Sequence, residues 1–165
     1  MRIAVLTANL YEEPELLYPY YRLLEEGHEV LRIGTEVATY TGKYGYPVRA
    51  DLTSAEVDPA DYDGVIIPGG FSPDYMRRDP AMVSFVAALV DAGKPAAAIC
   101  HGPWMLVEAD VVRGRRVTSV TAVRTDLRNA GGEWVDQAVV VDGPVITSRT
   151  PKDLPAFMKA FIDAL

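Results

Sequence analysis

Hydrophobic positions along the chain form short apolar runs that alternate with stretches of helical period. The runs are bounded by glycine, proline or polar residues, a pattern typical of strands buried on both faces of a parallel sheet. The clearest predicted strands are Ile3–Thr7, His28–Ile33, Gly64–Ile67 and Ala96–Ile99. A further strand is predicted over Val117–Val120. Two hairpins are also predicted, Val37–Tyr40 with Tyr46–Ala50, and Ala138–Val141 with Val145–Thr147.

Helical spacing of apolar residues appears between these runs. Leu16, Leu17, Tyr20, Leu23 and Leu24 form one face that ends at Gly27, although Pro19 inside it should kink the helix or remove a backbone hydrogen bond. A second helix closes at Gly93. Three more are predicted over Trp104–Ala109, Thr121–Ala130 and Leu154–Leu165, whereas Asp51–Tyr62 is predicted to be a connection.

Strands that alternate with helices predict an α/β fold, specifically a flavodoxin-like three-layer sandwich with a mostly parallel central sheet. We expect residues 1–165 to form a single domain, since a chain of this size buries enough surface for one core. Ligands in such sheets bind outside the carboxyl ends of the strands. Three loops meet that condition: the one after Thr7, Pro68-Gly69-Gly70, and Cys100-His101-Gly102.

The third of these loops carries the candidate nucleophile. Gly102 lets the backbone turn sharply and Pro103 suits the first turn of a helix, so Cys100 is predicted to lie on a strand-to-helix nucleophile elbow. A helix N-terminus favours a thiolate, and we therefore expect a lowered pKa for Cys100. The alternative is an inert buried cysteine, because cysteine is often simply buried.

Charge and composition exclude several classes of function. With 16 basic against 23 acidic residues, the net charge of −7 opposes binding to nucleic acid or to an anionic membrane surface. No secretory signal or run long enough to span a bilayer is recognised, and a single cysteine allows no internal disulfide. No metal-ligand spacing or cofactor motif is present. We expect a cytoplasmic protein without a cofactor.

Several dispersed motifs resemble the PfpI intracellular-protease family, which belongs to the superfamily of parkinsonism-associated deglycase-like proteins with a class I glutamine amidotransferase-like fold. The resemblance covers essentially the whole chain. It rests on Ala98-Ile99-Cys100-His101-Gly102-Pro103, Pro68-Gly69-Gly70, Glu12 before a helix, Leu6-Thr7-Ala8-Asn9, Tyr18-Pro19-Tyr20, Glu25-Glu26-Gly27-His28-Glu29-Val30, Asn129-Ala130-Gly131-Gly132-Glu133-Trp134 and Ser148-Arg149-Thr150-Pro151-Lys152-Asp153-Leu154.

The resemblance implies that Cys100 is the nucleophile, His101 its neighbouring base or acid, and Glu12 a carboxyl close to the sulfur. Because a carboxylate would repel a thiolate, we expect Glu12 to hold a proton and to donate a hydrogen bond to the sulfur. Alternatively, Glu12 is an acidic residue that helps a helix begin. Glu13 and Glu15 compete for both roles.

Further site residues follow from the same resemblance. The backbone N–H groups of Gly70 and His101 are expected to form an oxyanion hole. The family's third triad member comes from a neighbouring subunit, and Asp74 occupies that position where members commonly have glutamate. Aspartate is one methylene shorter, so a plain surface acid is the alternative. Val120 replaces an aromatic residue often found in PfpI-like members, which alters the pocket wall.

Two related enzyme classes fit the sequence less well. Class I glutamine amidotransferases share the fold and the elbow but need a histidine late in the chain, and papain-like proteases also need a separately placed histidine. The only histidines are His28 and His101.

Three hypotheses for function remain. The first is a cysteine-dependent stress-response hydrolase that acts on methylglyoxal or glyoxal adducts, as a deglycase or in a glyoxalase-like reaction. The second is an intracellular cysteine peptidase that forms an acyl-thioester at Cys100. The third is a redox sensor or holdase without turnover, in which Cys100 oxidises to a sulfinate held by Glu12.

Expected partners are small aldehydes or glycated amino acids and peptides. The resemblance also implies self-association as a dimer or hexamer. Tyr18, Tyr20, Tyr21 and Tyr44 are compatible with such an interface, or equally with the core.

Overall fold

A computed structural model of the protein describes residues 1–165 and contains eleven strands and six α-helices. The strands are β1 Arg2–Leu6, β2 Glu29–Gly34, β3 Thr39–Thr41, β4 Pro47–Arg49, β5 Leu52–Thr53, β6 Gly64–Ile67, β7 Ala96–Ile99, β8 Arg116–Val117, β9 Glu133–Trp134, β10 Val139–Asp142 and β11 Val145–Ser148. The helices are α1 Glu13–Glu25, α2 Ser72–Met76, α3 Pro80–Asp91, α4 Pro103–Glu108, α5 Arg124–Asn129 and α6 Leu154–Asp163.

Seven strands form the central sheet, in the order β10-β11-β7-β6-β1-β2-β5. Every pair in it is parallel except the β10–β11 hairpin at one edge. Strands β6 and β7 are completely buried because helices cover both faces, which explains why these runs carry only apolar residues and glycine. The parallel register brings the carboxyl ends of β1, β6 and β7 to one edge of the sheet.

Helices pack on both faces of this sheet and divide the core into two clusters. The α1 and α6 side buries residues such as Leu16, Leu23 and Phe157. The opposite side buries residues of α3, α4 and α5, including Met82 and Met105. Two helical layers around a mostly parallel sheet confirm the predicted flavodoxin-like three-layer sandwich.

Several predicted elements differ in extent. Strand β8 covers only part of the predicted Val117–Val120 and pairs with the unpredicted β9 in a separate two-stranded sheet. The β3–β4 hairpin is likewise a sheet of its own. The predicted connection Asp51–Tyr62 contains the edge strand β5, and α2 has no counterpart among the predicted helices. The missed elements β5, β9 and α2 have two, two and five residues, and none of them is a wholly apolar run that the sequence pattern would reveal.

Helix α1 continues through Pro19, which is buried. The proline therefore removes a backbone hydrogen bond but does not end the helix. No helix in the structure combines the length and the apolar character needed to cross a membrane.

Candidate active site

Cys100 lies at a sharp turn between β7 and α4. Its φ angle is +63°, in the left-handed region that a residue with a side chain rarely adopts. A Cβ on Gly102 would lie 2.5 Å from the carbonyl oxygen of Ile67 and 2.8 Å from that of Ile99, so only glycine fits there. A strained backbone held by such close packing is typical of a functional turn, and it presents the sulfur at the edge of the sheet.

The loop after β6 packs directly against this turn. A Cβ on Gly69 would lie 2.9 Å from the Cβ of Cys100 and from the nitrogen of His101. Gly70 has a φ angle of +70° and packs against the backbone of Leu10. The absence of side chains lets both glycines bring the loop to the sulfur, where the backbone N–H groups of Gly70 and His101 favour negative charge on it and so act to lower the pKa of Cys100.

The carboxyl group that faces the sulfur belongs to Glu15, on the first turn of α1. Glu15 has no exposed surface, and its Oε2 accepts a hydrogen bond from the backbone N–H of Gly69 at 2.8 Å. Burial raises the pKa of Glu15 from 4.5 to about 8, so the group holds a proton at neutral pH. Its Oε1 is buried without a hydrogen-bond partner, and the carboxyl interacts with the nearby Cys100 thiol.

Glu12 occupies a different position from the one expected for it. Its Oε2 accepts a hydrogen bond from Lys43 Nζ at 3.2 Å, and the pair lies at the wall of the pocket. The acidic role assigned to Glu12 from the sequence therefore fits Glu15 instead. Their different surroundings explain this, since Glu12 has a cation beside it and Glu15 has none in direct contact.

The expected lowering of the Cys100 pKa is not found. Burial, followed by the charge of an ionised Glu15, raises the pKa of Cys100 to about 12, although the N–H groups of His101 and Gly70 oppose this. The sequence-based expectation considered only the helix N-terminus. Helix α4 is six residues long, and its field does not compensate for removing the sulfur from water.

Glu15 and Cys100 therefore compete for a proton. An ionised Glu15 repels a thiolate, whereas a protonated Glu15 carries no charge and can donate a hydrogen bond to one. At neutral pH both groups hold their protons, so when the thiol is deprotonated during the reaction the sulfur develops negative charge against a donor and not against a second anion.

His101 contacts the nucleophile directly. Its Nδ1 lies 3.3 Å from the Cys100 sulfur, although adjacent side chains usually point apart. Burial, and secondarily the charge of Lys43, lower the pKa of His101, so the imidazole is neutral at neutral pH. A neutral ring nitrogen at this distance can take the thiol proton.

Asp74 does not reach the nucleophile within its own chain. It lies on α2 and forms an ion pair with Arg78, one turn later in the sequence. Its action on His101 of a neighbouring subunit stays a prediction.

Cys100 and His101 open into one cavity of about 450 Å³. Its lining consists of Leu10, Glu12, Lys43, Gly70, Phe71, Cys100 and His101. The sequence carries no signal for Lys43, because its contact with Glu12 joins positions 31 residues apart. A shallower groove of about 600 Å³ along α1, between Tyr18 and Tyr21, contains no nucleophile. No cluster of side chains suited to a metal ion occurs.

A half-buried cysteine on a strained elbow, with a carboxyl and an imidazole beside it, defines a candidate cysteine-nucleophile site on a flavodoxin-like sheet. The sequence profile of the DJ-1/PfpI family matches residues 1–164. The chain belongs to the DJ-1/PfpI family.

Individual relatives agree with this assignment. The chain is 48% identical to "Deglycase PH1704" of Pyrococcus horikoshii, over all of this chain and 99% of that protein. It is 46% identical to "Protein/nucleic acid deglycase 2" of Escherichia coli, over 94% of this chain and 92% of the relative. A crystal structure from Anabaena variabilis of a two-domain protein with a DJ-1/ThiJ/PfpI-like and a ferritin-like domain superposes with a TM-score of 0.97 at 41% identity. That similarity covers 98% of this chain and 47% of the two-domain chain.

The buried Glu15 gives the protein a specific dependence of stability on pH. The pKa of this group is raised in the folded state, so its contribution to stability is complete below the unfolded pKa of 4.5 and is lost as pH rises through about 8. We expect the free energy of unfolding of the wild type to fall relative to Glu15→Gln across this range, by at most about 1.4 kcal/mol per pH unit.

Chemical denaturation at a series of pH values measures this difference. Glu12→Gln is the matched control, because it makes the same carboxyl-to-amide change at the pocket wall and leaves Glu15 in place. Parallel curves for wild type and Glu15→Gln would contradict the raised pKa.

Proposed function

We propose that the protein is a cysteine-dependent deglycase that converts early methylglyoxal or glyoxal adducts into the free amine or thiol and a hydroxy acid. One observation carries the proposal: a thiol on a strained elbow opens into a pocket between a neutral imidazole and a protonated carboxyl. This arrangement suits attack by the Cys100 sulfur on an electrophilic carbon of a small, polar substrate. The deglycase names of two close relatives support it.

In the first step, a methylglyoxal aminocarbinol enters the pocket with its carbinol carbon at Cys100. The thiol proton passes to Nδ1 of His101, which lies 3.3 Å away, and the sulfur forms a bond to the carbinol carbon. The carbon–nitrogen bond breaks, and the same proton moves from the imidazole to the leaving amine. The products are a free amine and a hemithioacetal on Cys100.

In the second step, the hemithioacetal rearranges into a thioester. The imidazole, neutral again, removes the proton from the sulfur-bearing carbon and returns it to the adjacent ketone carbon through an enediol, while the hydroxyl proton on the sulfur-bearing carbon passes to the ketone oxygen. The first carbon is oxidised and the second is reduced, so no external oxidant is needed. Water then attacks the thioester carbonyl, the carbon–sulfur bond breaks, and lactate leaves with Cys100 as a thiol.

Two groups stabilise the charges that develop in these steps. The N–H groups of Gly70 and His101 that point to the sulfur also suit a carbonyl oxygen bound beside it, as an oxyanion hole. Protonated Glu15 donates to the sulfur whenever the carbon–sulfur bond breaks, which makes the thiolate a better leaving group.

Lactate released from a methylglyoxal-modified peptide, freed of unreacted aldehyde and assayed in an amine-free buffer, tests the reaction. We expect wild type to release many equivalents of lactate and Cys100→Ala to fall to the buffer blank, because no other cysteine replaces the nucleophile. Circular dichroism controls for folding. Lactate from Cys100→Ala at the wild-type rate, or none from wild type, would contradict the proposal. Peptide cleavage or stoichiometric oxidation of Cys100 in that case would point to the peptidase or to the redox protein.

The two carboxyls of the site are separated by a matched pair of variants. Glu15→Gln and Glu12→Gln make the same chemical change, carboxyl to amide, and preserve side-chain size. We expect Glu15→Gln to lower kcat for lactate release about 10- to 100-fold, since an amide N–H is a far weaker acid than a carboxyl O–H and forms a weaker hydrogen bond to a thiolate. Glu12→Gln should mainly change KM, because it frees Lys43 at the pocket wall. A larger loss of kcat in Glu12→Gln would return the acid role to Glu12.

A further inference from the structure

Trp104 lies directly against the His101 ring. It is in the first turn of α4, three residues after the histidine, and the two ring centroids are 5.2 Å apart with the planes at 64°. Aromatic rings at this spacing and angle attract each other edge to face, so the contact favours one orientation of the imidazole.

Other elements hold Trp104 in place. Its Nε1 donates a hydrogen bond to Asp126 Oδ2 on α5 at 2.9 Å. Arg77, which follows α2, places its guanidinium 5.8 Å from the centre of the indole ring. The same guanidinium donates hydrogen bonds to Glu108. Because contacts from two separate elements fix the Trp104 indole, the indole in turn restricts the movement of the His101 ring that it contacts.

His101 has few other constraints. Its only side-chain hydrogen bond within the chain is the one between Nδ1 and the Cys100 sulfur. A catalytic imidazole usually has an acid behind it that fixes its orientation, but Asp74 is paired with Arg78 in this chain. Rotation of the free ring would carry Nδ1 away from the sulfur.

We propose that Trp104 is a positioning residue that keeps Nδ1 of the His101 imidazole beside the Cys100 sulfur. The hydrogen bond from Trp104 to Asp126 fixes the indole in the position that this requires. The catalytic part of this inference rests on the proposed function, in which His101 moves protons between sulfur, amine and carbon. Trp104 itself does not line the cavity that would receive the substrate. Its loss therefore affects turnover more than substrate binding.

The environment of His101 contains charged groups from several elements. Those that face it or its tryptophan are Cys100 on the same turn, Glu15 behind the sulfur, Glu12 and Lys43 at the pocket wall, and Arg77 and Asp126 at the indole. A substitution at position 104 alone changes none of these groups, so variants at that position can be compared directly with wild type.

Tryptophan emission tests the contact without any need for activity. The chain has two tryptophans, so Trp134→Phe leaves Trp104 as the only indole emitter. An imidazolium quenches an adjacent indole, and we expect the emission of this variant to fall as His101 gains a proton at acid pH. Adding His101→Gln should remove that transition. Emission whose pH dependence persists unchanged in His101→Gln would overturn the proposed contact.

Turnover tests the positioning role. We expect Trp104→Leu to lower kcat for lactate release about 10- to 100-fold with KM within about twofold, because small misplacement of a catalytic group is costly. Trp104→Phe keeps an aromatic ring and should recover part of the loss, whereas Asp126→Asn should lose less than Trp104→Leu. Trp134→Leu is the matched control and should preserve kcat.

The outcomes separate the two proposals. Equal losses of kcat in Trp104→Leu and Trp134→Leu, or a change confined to KM, would overturn the positioning role. Absence of lactate from wild type would instead overturn the proposed function, and with it the catalytic part of this inference. The emission transition would still decide whether Trp104 contacts a titrating His101.

Discussion

The site depends on the burial of a carboxyl group against a thiol. Glu15 is fully buried, accepts one hydrogen bond from Gly69 and faces the Cys100 sulfur. Removal of a carboxylate from water is costly unless it is compensated, so the group keeps its proton at neutral pH. That proton turns a repulsive neighbour into a donor. The chemistry available to Cys100 follows from this one constraint.

The fold supplies this constraint through close backbone packing. Three loops meet at the carboxyl edge of β1, β6 and β7, and Gly69 and Gly102 allow distances that any side chain would prevent. The positive φ angle of Cys100 is the cost of presenting the sulfur at this junction, about 1–3 kcal/mol for such a backbone. The surrounding sheet, buried on both faces, holds the turn in that conformation.

Short, wholly apolar runs in the sequence predicted the central strands of the fold well. The buried strands β6 and β7 match Gly64–Ile67 and Ala96–Ile99 residue for residue, because Pro68 ends the first run and Pro95 precedes the second. Strands β8 and β9 have two residues each and pair through contacts distant in sequence, so no local pattern shows them.

The site was predictable only in part. Cys100 and His101 stand out on the elbow, but three acidic residues within four positions could each have faced the sulfur. Their assignment depends on where α1 begins and how it rotates, which places Glu15 inward and leaves Glu12 beside Lys43. The raised pKa of Cys100 follows from burial, a property of the assembled core that a helix N-terminus does not reveal.

The most direct test of the central claim is the protonation state of Glu15 in the folded protein. The NMR chemical shift of its side-chain carboxyl carbon, assigned by its disappearance in Glu15→Gln, should be that of a carboxylic acid at neutral pH. It should titrate with a midpoint of about 8. A carboxylate shift at neutral pH, with a midpoint near the ordinary value of 4.5, would contradict the account.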